Sequence, residues 1–430
     1  MKILLKNGNI IDPETKQLVQ KDLLVDGQVI RMVAPEIKSD KDVTVICAEG
    51  KLVCPGLIDM HVHLREPGFE HKETIESGCR AAARGGFTTI APMPNTSPVA
   101  DSPDMIKEII DRAGKIGLAR VLPYGAITVC QQGEELTDMA GMKKAGAIGV
   151  TDDGVGVQSS KMMKEAMKKA RSEDMPVVAH CEDESLSKGG CVHEGVFAEK
   201  YGLPGIPSSA EAIHVGRDIL LAEETGAHYH VCHISTKASV RLVREAKSRG
   251  QKVTAEVTPH HLLLCDKDIP EPDANWKMNP PLRSKKDQKA LIKGLKDGSI
   301  DFIATDHAPH TDKEKKAEMK KAPFGIVGLE TAFPLLYTHL VLKGVLTLHE
   351  LIDKMTRKPA EVFQLPYGRL VEGGPADITV IDLKREKAID PKTFASKGFN
   401  TPFAGWKVKG WPVLTMMNGQ ITWQDTNCPM

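Results

Sequence analysis

Leu57-Ile58-Asp59-Met60-His61-Val62-His63 is the stretch on which the reading of the fold turns. It is short and apolar and closes on two histidines. Side chains two apart on a strand share a face, so a strand over 57–63 aims both imidazoles into one mouth. Outward from it, segments of the same kind recur at 87–93, 120–128, 147–152, 176–181, 228–233, 252–258 and 301–306. They are short and rich in Val, Ile and Thr, as buried parallel strands are. Helical patterns lie between them. One covers 102–113, with Asp101 or Ser102 as its N-cap. Another covers 160–172, with Met162, Met163, Ala166, Met167 and Ala170 on one face, a spacing that makes the methionines core residues. Eight such βα units predict an α/β chain built as a (β/α)8 barrel of the TIM type.

The two ends read differently. Residues 1–53 alternate apolar and polar around turns such as Asn7-Gly8 and Asp26-Gly27, an all-β signature. Residues 368–424 repeat that style, with Gly373-Gly374-Pro375-Ala376-Asp377 leading into Ile378-Thr379-Val380-Ile381. Both ends are expected to pair into one small β-sandwich domain. The division is then 1–54 and 367–430 for the sandwich and 55–366 for the barrel.

Composition removes several classes of function. The chain has 430 residues, 41% of them hydrophobic, and its 57 Lys plus Arg cancel its 57 Asp plus Glu. A net charge of zero offers no electrostatic case for nucleic acid or an anionic membrane. The N-terminal apolar stretch is too brief for a signal peptide, and no run of about 18 apolar residues suggests a membrane span. The nine cysteines, Cys47, Cys54, Cys79, Cys130, Cys181, Cys191, Cys232, Cys265 and Cys428, are scattered and include no CxxC pair. That pattern points to reduced thiols in a cytoplasm and away from a structural zinc ribbon. The basic run from Lys313 to Lys321 is diluted by Glu314 and Glu318 and reads as a solvated face. The polar segment 311–323 is expected to have little apolar surface to anchor it, as in a mobile lid or a bland surface helix.

Ligand-type residues gather where the strands end. His61 and His63 close the first strand, Asp153 follows the fourth in Thr151-Asp152-Asp153-Gly154, His180 ends the fifth, His233 the sixth and Asp306 the eighth. Active sites of such barrels form at the C-terminal ends of the strands, and imidazole with carboxylate is the donor set of a hydrolytic zinc centre. Singly, each has an ordinary explanation: a strand histidine is usually a hydrogen-bonded core residue, as His228 and His230 are read, and Asp-Asp-Gly is usually a turn. Six at the ends of five strands make a metal site. His71, His193, His214, His260, His261 and His339 have no clear role, although His260 and His261 follow strand seven and could line the pocket or support the ligands from behind.

His-x-His after strand one, His after strands five and six, and Asp after strand eight resemble the amidohydrolase superfamily over nearly the whole chain. His61-Val62-His63-Leu64-Arg65-Glu66-Pro67-Gly68, Met93-Pro94-Asn95-Thr96, Lys277-Met278-Asn279-Pro280-Pro281-Leu282-Arg283, Asp306-His307-Ala308-Pro309-His310 and Gly325-Ile326-Val327-Gly328-Leu329-Glu330-Thr331 narrow the resemblance to class I dihydroorotases. Hydantoinases, allantoinases and the other dihydroorotase class carry a lysine after strand four, whereas class I dihydroorotases resemble this chain, with Asp152-Asp153, in having an aspartate there. The resemblance implies one or two zinc ions held by His61, His63, Asp153 (Asp152 is the alternative), His180, His233 and Asp306. It implies Arg65, Asn95 and His310 at the substrate carboxylate, and Asn279, Phe324 and Gly325 at the ring. The implied reaction interconverts dihydroorotate and N-carbamoyl-L-aspartate in pyrimidine synthesis, with Asp306 accepting the water's proton and handing it to the departing ring nitrogen. A homodimer and an aspartate transcarbamoylase partner belong to the same expectation. The competing readings are another cyclic amidase, such as a dihydropyrimidinase, hydantoinase or allantoinase, or a non-catalytic scaffold for the transcarbamoylase.

Overall fold

The structure, a computed structural model of the chain, describes residues 2–11, 15–39 and 41–426. Cys428 lies outside the described residues. The chain is an α/β protein whose strands divide into two families by direction. Parallel pairs join Leu57–Val62 to Phe87–Pro92 and that strand to Arg120–Val121. A second parallel set orders Val177–Ala179, Tyr229–Val231, Val253–Val257 and Phe302–Ile303. Single parallel bridges connect the sets: Gly125 to Val150 and Val150 to Val177 at one junction, Val62 to His307 at the other. Helices run between consecutive strands. Two of the longer ones are Pro103–Ile116, capped by Ser102 with Gly117 in the left-handed region at its end, and Ser160–Ser172, which buries Met163, Ala166, Met167 and Ala170 while Met162 stays half-exposed.

Two expected strands shrink. The third keeps only Arg120–Val121, because Pro123 has no N–H to offer the ladder. The fourth is reduced to the bridges at Val150. Beyond it the Asp152 carboxylate takes the backbone N–H groups of Ile127 and Thr128, at 2.8 and 3.1 Å, in place of a neighbouring strand.

The chain ends meet in one eight-stranded sheet. Its order is Gln420–Gln424, Lys407–Met417, Ile378–Ala388, Leu52–Pro55, Lys2–Ile11, Leu18–Asp26 and Val29–Ala34, with Val43–Cys47 parallel to Lys2–Ile11. Ile378 pairs with Pro55 and Ile381 with Leu52, so the two halves are hydrogen-bonded directly. The sheet has its own apolar core of Ile3, Leu5, Leu23, Val25, Val53, Ile378, Val380 and Val413 among others. The link between Ile378–Ala388 and Lys407–Met417 leaves this sheet and packs on the ends of the parallel strands, where Gly398 lies against Pro309.

The segment 311–323 is anchored, contrary to the expectation drawn from its polarity. Thr311 and Glu314 form a capping box on the turn Asp312–Lys315. Met319 and Ala322 are buried in a cluster with Leu282, Leu335 and Phe403. Lys315, in the middle of the basic run, is buried as well. Its ammonium donates to the carbonyls of Pro323 and Gly325, each at 3.0 Å, whereas Lys313, Lys316, Lys320 and Lys321 are exposed.

Candidate functional site

The ends of the parallel strands converge on a group of imidazoles and carboxylates. His61 Nε2 lies 3.5 Å from Asp153 Oδ1 and 3.4 Å from Asp306 Oδ1. His63 Nε2 is 3.0 Å from Asp306 Oδ1 and 3.8 Å from Asp153 Oδ2. His233 Nε2 is 3.8 Å from Asp153 Oδ1, and His180 Nδ1 is 3.0 Å from His233 Nε2. Two trios, His61 with His233 and Asp306 and Asp153 with His180 and His233, each bring three donor atoms within 4.8 Å of one another, as does His61 with Asp153 and Cys232. All six sequence-selected residues are buried and mutually adjacent.

Groups behind the rings orient them. Glu256 is 1% exposed, and its Oε1 accepts from His61 Nδ1 at 2.6 Å while Oε2 lies 3.3 Å from His230 Nε2. A carboxylate only accepts, so the His61 proton sits on Nδ1 and the Nε2 lone pair turns inward. Asn95 Oδ1 accepts from His63 Nδ1 at 3.0 Å, and Glu182 Oε2 accepts from His180 Nε2 at 2.8 Å. Three rings are thus held from outside with their inner nitrogens aimed at Asp153 and Asp306, the arrangement that outer partners impose on ligating histidines.

Left to itself this arrangement is electrostatically poor. The inner His61 Nε2 and Asp153 Oδ1 are buried without a hydrogen-bond partner. Burial opposes a charge on His61, but Asp306, Asp153 and Glu256 outweigh it and push its pKa up to about 10. Burial opposes ionisation of Asp153 and Asp306 too, yet the surrounding imidazoles hold both well below the usual carboxylate range. Carboxylates facing the inner ring nitrogens call for positive charge between them, which protons on the imidazoles or a divalent cation would supply, and nitrogen with carboxylate oxygen is a donor set that suits the cation. The residues fit a metal. Asp152, the alternative ligand, faces away: its carboxylate binds the 127–128 backbone and Thr128 Oγ1.

A cavity of about 300 Å³ opens over this group, lined by His63, Asp153, His180, His233 and Asp306 below and by Arg65, Asn95, Asn279, His310, Phe324 and Gly325 around. The Arg65 guanidinium donates from Nε to the Pro309 carbonyl at 3.2 Å, and Nη2 lies 3.2 Å from His310 Nε2. Burial lowers its pKa to about 10, so it stays charged at neutrality. Burial first, then the Arg65 charge, lowers His310 to about 2 and keeps it neutral, with Nε2 against the Phe324 carbonyl at 2.7 Å. Asn95 Nδ2 is engaged by Asp153 Oδ2 at 3.2 Å and Asn279 Nδ2 by Glu182 Oε2 at 2.6 Å. Arg65, His233 and Asp306 all have positive φ, at 62°, 29° and 48°, backbone that costs energy and clusters at functional sites. A larger cavity of about 670 Å³, lined by residues such as Arg84 and Trp411, contains no histidine.

Several polar residues here were not singled out in the sequence. Glu256 is the one charged residue of Val253–Val257, and Asp59 Oδ1 accepts from the backbone N–H of His61 and of Thr305. Glu182 stood beside His180 without a role. His260 and His261 do not line the cavity. Both ring nitrogens of His261 make structural contacts: Nδ1 accepts from Thr258 Oγ1 at 2.7 Å and Nε2 donates to the Pro280 carbonyl at 2.9 Å, beside Asn279. His307 is tied as well, with Nδ1 accepting from the Gly328 backbone and Nε2 facing Glu73.

A family model described as Dihydro-orotase-like matches residues 50–239. A dihydroorotase of Halalkalibacterium halodurans is 62% identical, covering 99% of both chains. One of Brevibacillus brevis is 61% identical over 99% of this chain and 100% of its own. Among solved structures, the L-hydantoinase (dihydropyrimidinase) of Arthrobacter aurescens superposes with a TM-score of 0.86 at 28% identity, covering 97% of this chain and 95% of its own. The D-hydantoinase (dihydropyrimidinase) of Thermus sp. gives 0.82 at 26%, covering 98% and 95%.

Proposed function

The chain belongs to the dihydroorotase family, and from that premise we propose that its strand-end cavity interconverts dihydroorotate and N-carbamoyl-L-aspartate, a step of pyrimidine (UMP) biosynthesis. The observation that carries the reading is one cavity joining the histidine–aspartate group to the Arg65 guanidinium: one half opens a ring amide, the other holds a carboxylate. The Arg65 guanidinium in that cavity favours a ring that bears a carboxylate over one that does not.

We read the parallel strands and their bridges as a closed (β/α)8 barrel over 55–366, and the sheet from 1–54 and 367–430 as the sandwich domain. His61, His63, Asp153, His180, His233 and Asp306 would hold one or two zinc ions. A zinc ion held by them would supply an activated water, its pKa lowered to about 7, and polarisation of the amide carbonyl. Arg65, with His310 and Asn95 on the same wall, binds the substrate carboxylate, and the planar guanidinium fork suits it. Asn279 and the backbone at Phe324 and Gly325 orient the ring. Asp306, against His63 and at the cavity floor, takes the proton of the attacking water and returns it to the departing ring nitrogen; cyclisation is the reverse. A homodimer, a transcarbamoylase partner and a cytoplasmic location complete the reading. The free state of all eight described cysteines supports that location, and no helix among the described residues is long and apolar enough to cross a membrane.

Turnover of dihydroorotate, dihydrouracil, hydantoin and allantoin by the same preparation tests the assignment. Dihydroorotate is expected to be the preferred substrate by kcat/KM; preference for a ring without a carboxylate would refute the role given to Arg65.

A further inference from the structure

Two loops of the cavity wall, 308–310 and 323–327, are joined by a side chain from outside the parallel-strand region. Asn400 is 2% exposed and lies on the link between Ile378–Ala388 and Lys407–Met417, some way along the chain from both loops. Its Oδ1 accepts from the His310 backbone N–H at 3.0 Å. Its Nδ2 donates to the carbonyls of Ala308 at 2.9 Å and Gly325 at 3.0 Å. Its own carbonyl accepts from the Val327 N–H at 2.9 Å. One amide therefore uses its acceptor and both donors on the backbone that carries His310 and Gly325.

The fit between those loops is tight. Gly325 has φ 153°, and a Cβ there would fall 2.5 Å from the Ala308 carbonyl oxygen and 2.8 Å from His310 Cδ2. The Gly325 carbonyl takes Asn400 from one side and the Lys315 ammonium from the other, each at 3.0 Å. The Gly325 N–H donates to the Lys277 carbonyl at 3.0 Å. Nothing in this set touches His61, His63, Asp153, His180 or His233 in the hydrogen-bond network.

We propose that Asn400 is a positioning residue for substrate binding, which sets the spacing of His310 from Phe324 and Gly325 and so governs KM. The inference rests on the dihydroorotase reading of the cavity. It makes the C-terminal segment a working part of the binding wall: the sheet domain reaches across and fixes the gap into which the substrate fits.

The test is steady-state kinetics with dihydroorotate on wild type, Asn400→Ala and Asn400→Asp, with metal content and thermal midpoint measured on each. KM is expected to rise about tenfold in the alanine variant, the scale of one to two lost net hydrogen bonds. Metal content should equal wild type, and kcat should change by no more than about threefold. Asn400→Asp has the same shape but turns a carboxylate oxygen toward the Ala308 and Gly325 carbonyls, so it should be as poor as alanine or poorer. A space-filling role would be met by aspartate: recovery of wild-type KM in Asn400→Asp would overturn the proposal. So would an unchanged KM in Asn400→Ala accompanied only by a lower midpoint. Asn400→Ser, which keeps one donor, serves if the alanine variant does not fold, and an unchanged KM there overturns the proposal equally. Failure of wild type itself to turn over dihydroorotate would bring down the reading of function and is distinguished by appearing without any substitution.

Discussion

Glu256→Gln isolates the part played by charge behind the histidines. The substitution keeps the size of a side chain that is 1% exposed and leaves an oxygen to accept from His61 Nδ1, now 2.6 Å away. What disappears is the negative charge. In the native protein burial disfavours that charge, but His61 and His230 hold the Glu256 pKa down at about 2, so the carboxylate is ionised at every working pH. A hydrogen bond to a charged group contributes about 1.5–3 kcal/mol and a neutral one about 1 kcal/mol. The difference, on the order of 0.5–2 kcal/mol, is the stabilisation that a cation at His61 Nε2 would draw through the ring. Zinc affinity should therefore fall roughly 2- to 30-fold, which reaches the 10- to 100-fold range usual for outer partners of ligating histidines only at its upper end. The assay is zinc titration in competition with a chromogenic chelator, run on wild type and variant at one pH, with the thermal midpoint of the metal-free proteins as a control for folding. An affinity within twofold of wild type, in a variant that folds normally, would refute the claim that Glu256 sets the basicity of His61.

Other substitutions separate the remaining roles. Arg65→Lys should raise KM for dihydroorotate with zinc content unchanged, because an ammonium cannot reproduce the guanidinium fork; an unaltered KM in steady-state assays would contradict the assignment. Asp306→Asn should keep most of its metal and lose about 10²- to 10⁴-fold in kcat, the usual share of general acid–base catalysis; near wild-type turnover with zinc bound would move the proton transfer to another group, and His307, with both ring nitrogens tied, is a poor substitute. Burial lowers the pKa of His261 to about 3, below the value near 6.5 expected when unfolded. The native state then binds fewer protons between those values, so stability is present above pH 6.5 and is lost as pH falls through the folded pKa. That amounts to about 2 kcal/mol between pH 6.5 and 4.5. His261→Gln should flatten this acid limb in urea titrations across that range, and an identical slope would show that other groups carry it.

The strand-end residues were legible because β-structure has a period of two and because each lies at the end of an apolar run: His61 and His63 share a face by arithmetic alone. The choice between Asp152 and Asp153 rested on the family resemblance, which put Asp153 first; strand geometry alone leaves it open, since adjacent residues after a strand differ only in where the turn sends them. The structure spends Asp152 on the 127–128 backbone and leaves Asp153 facing the imidazoles. Glu256 left a usable signal, a lone carboxylate in a buried strand, which needs a partner to be tolerated. Asn400 left none: its partners are distant in sequence, and only the folded chain brings them to 3 Å. The segment 311–323 was misjudged from charge content. Only Asp312–Lys315 is helical, so no periodicity announces that Met319 and Ala322 turn inward from the irregular chain that follows, and a buried lysine such as Lys315 can end on carbonyl oxygens as well as in water.

Metal analysis and a dihydroorotate assay on one purified sample bear most directly on the central claim. Zinc at one or two equivalents per chain is expected together with turnover of dihydroorotate. Chelation should abolish the activity and added zinc should restore it. Full activity in a rigorously metal-free preparation, or no turnover of dihydroorotate once zinc is bound, would contradict the account.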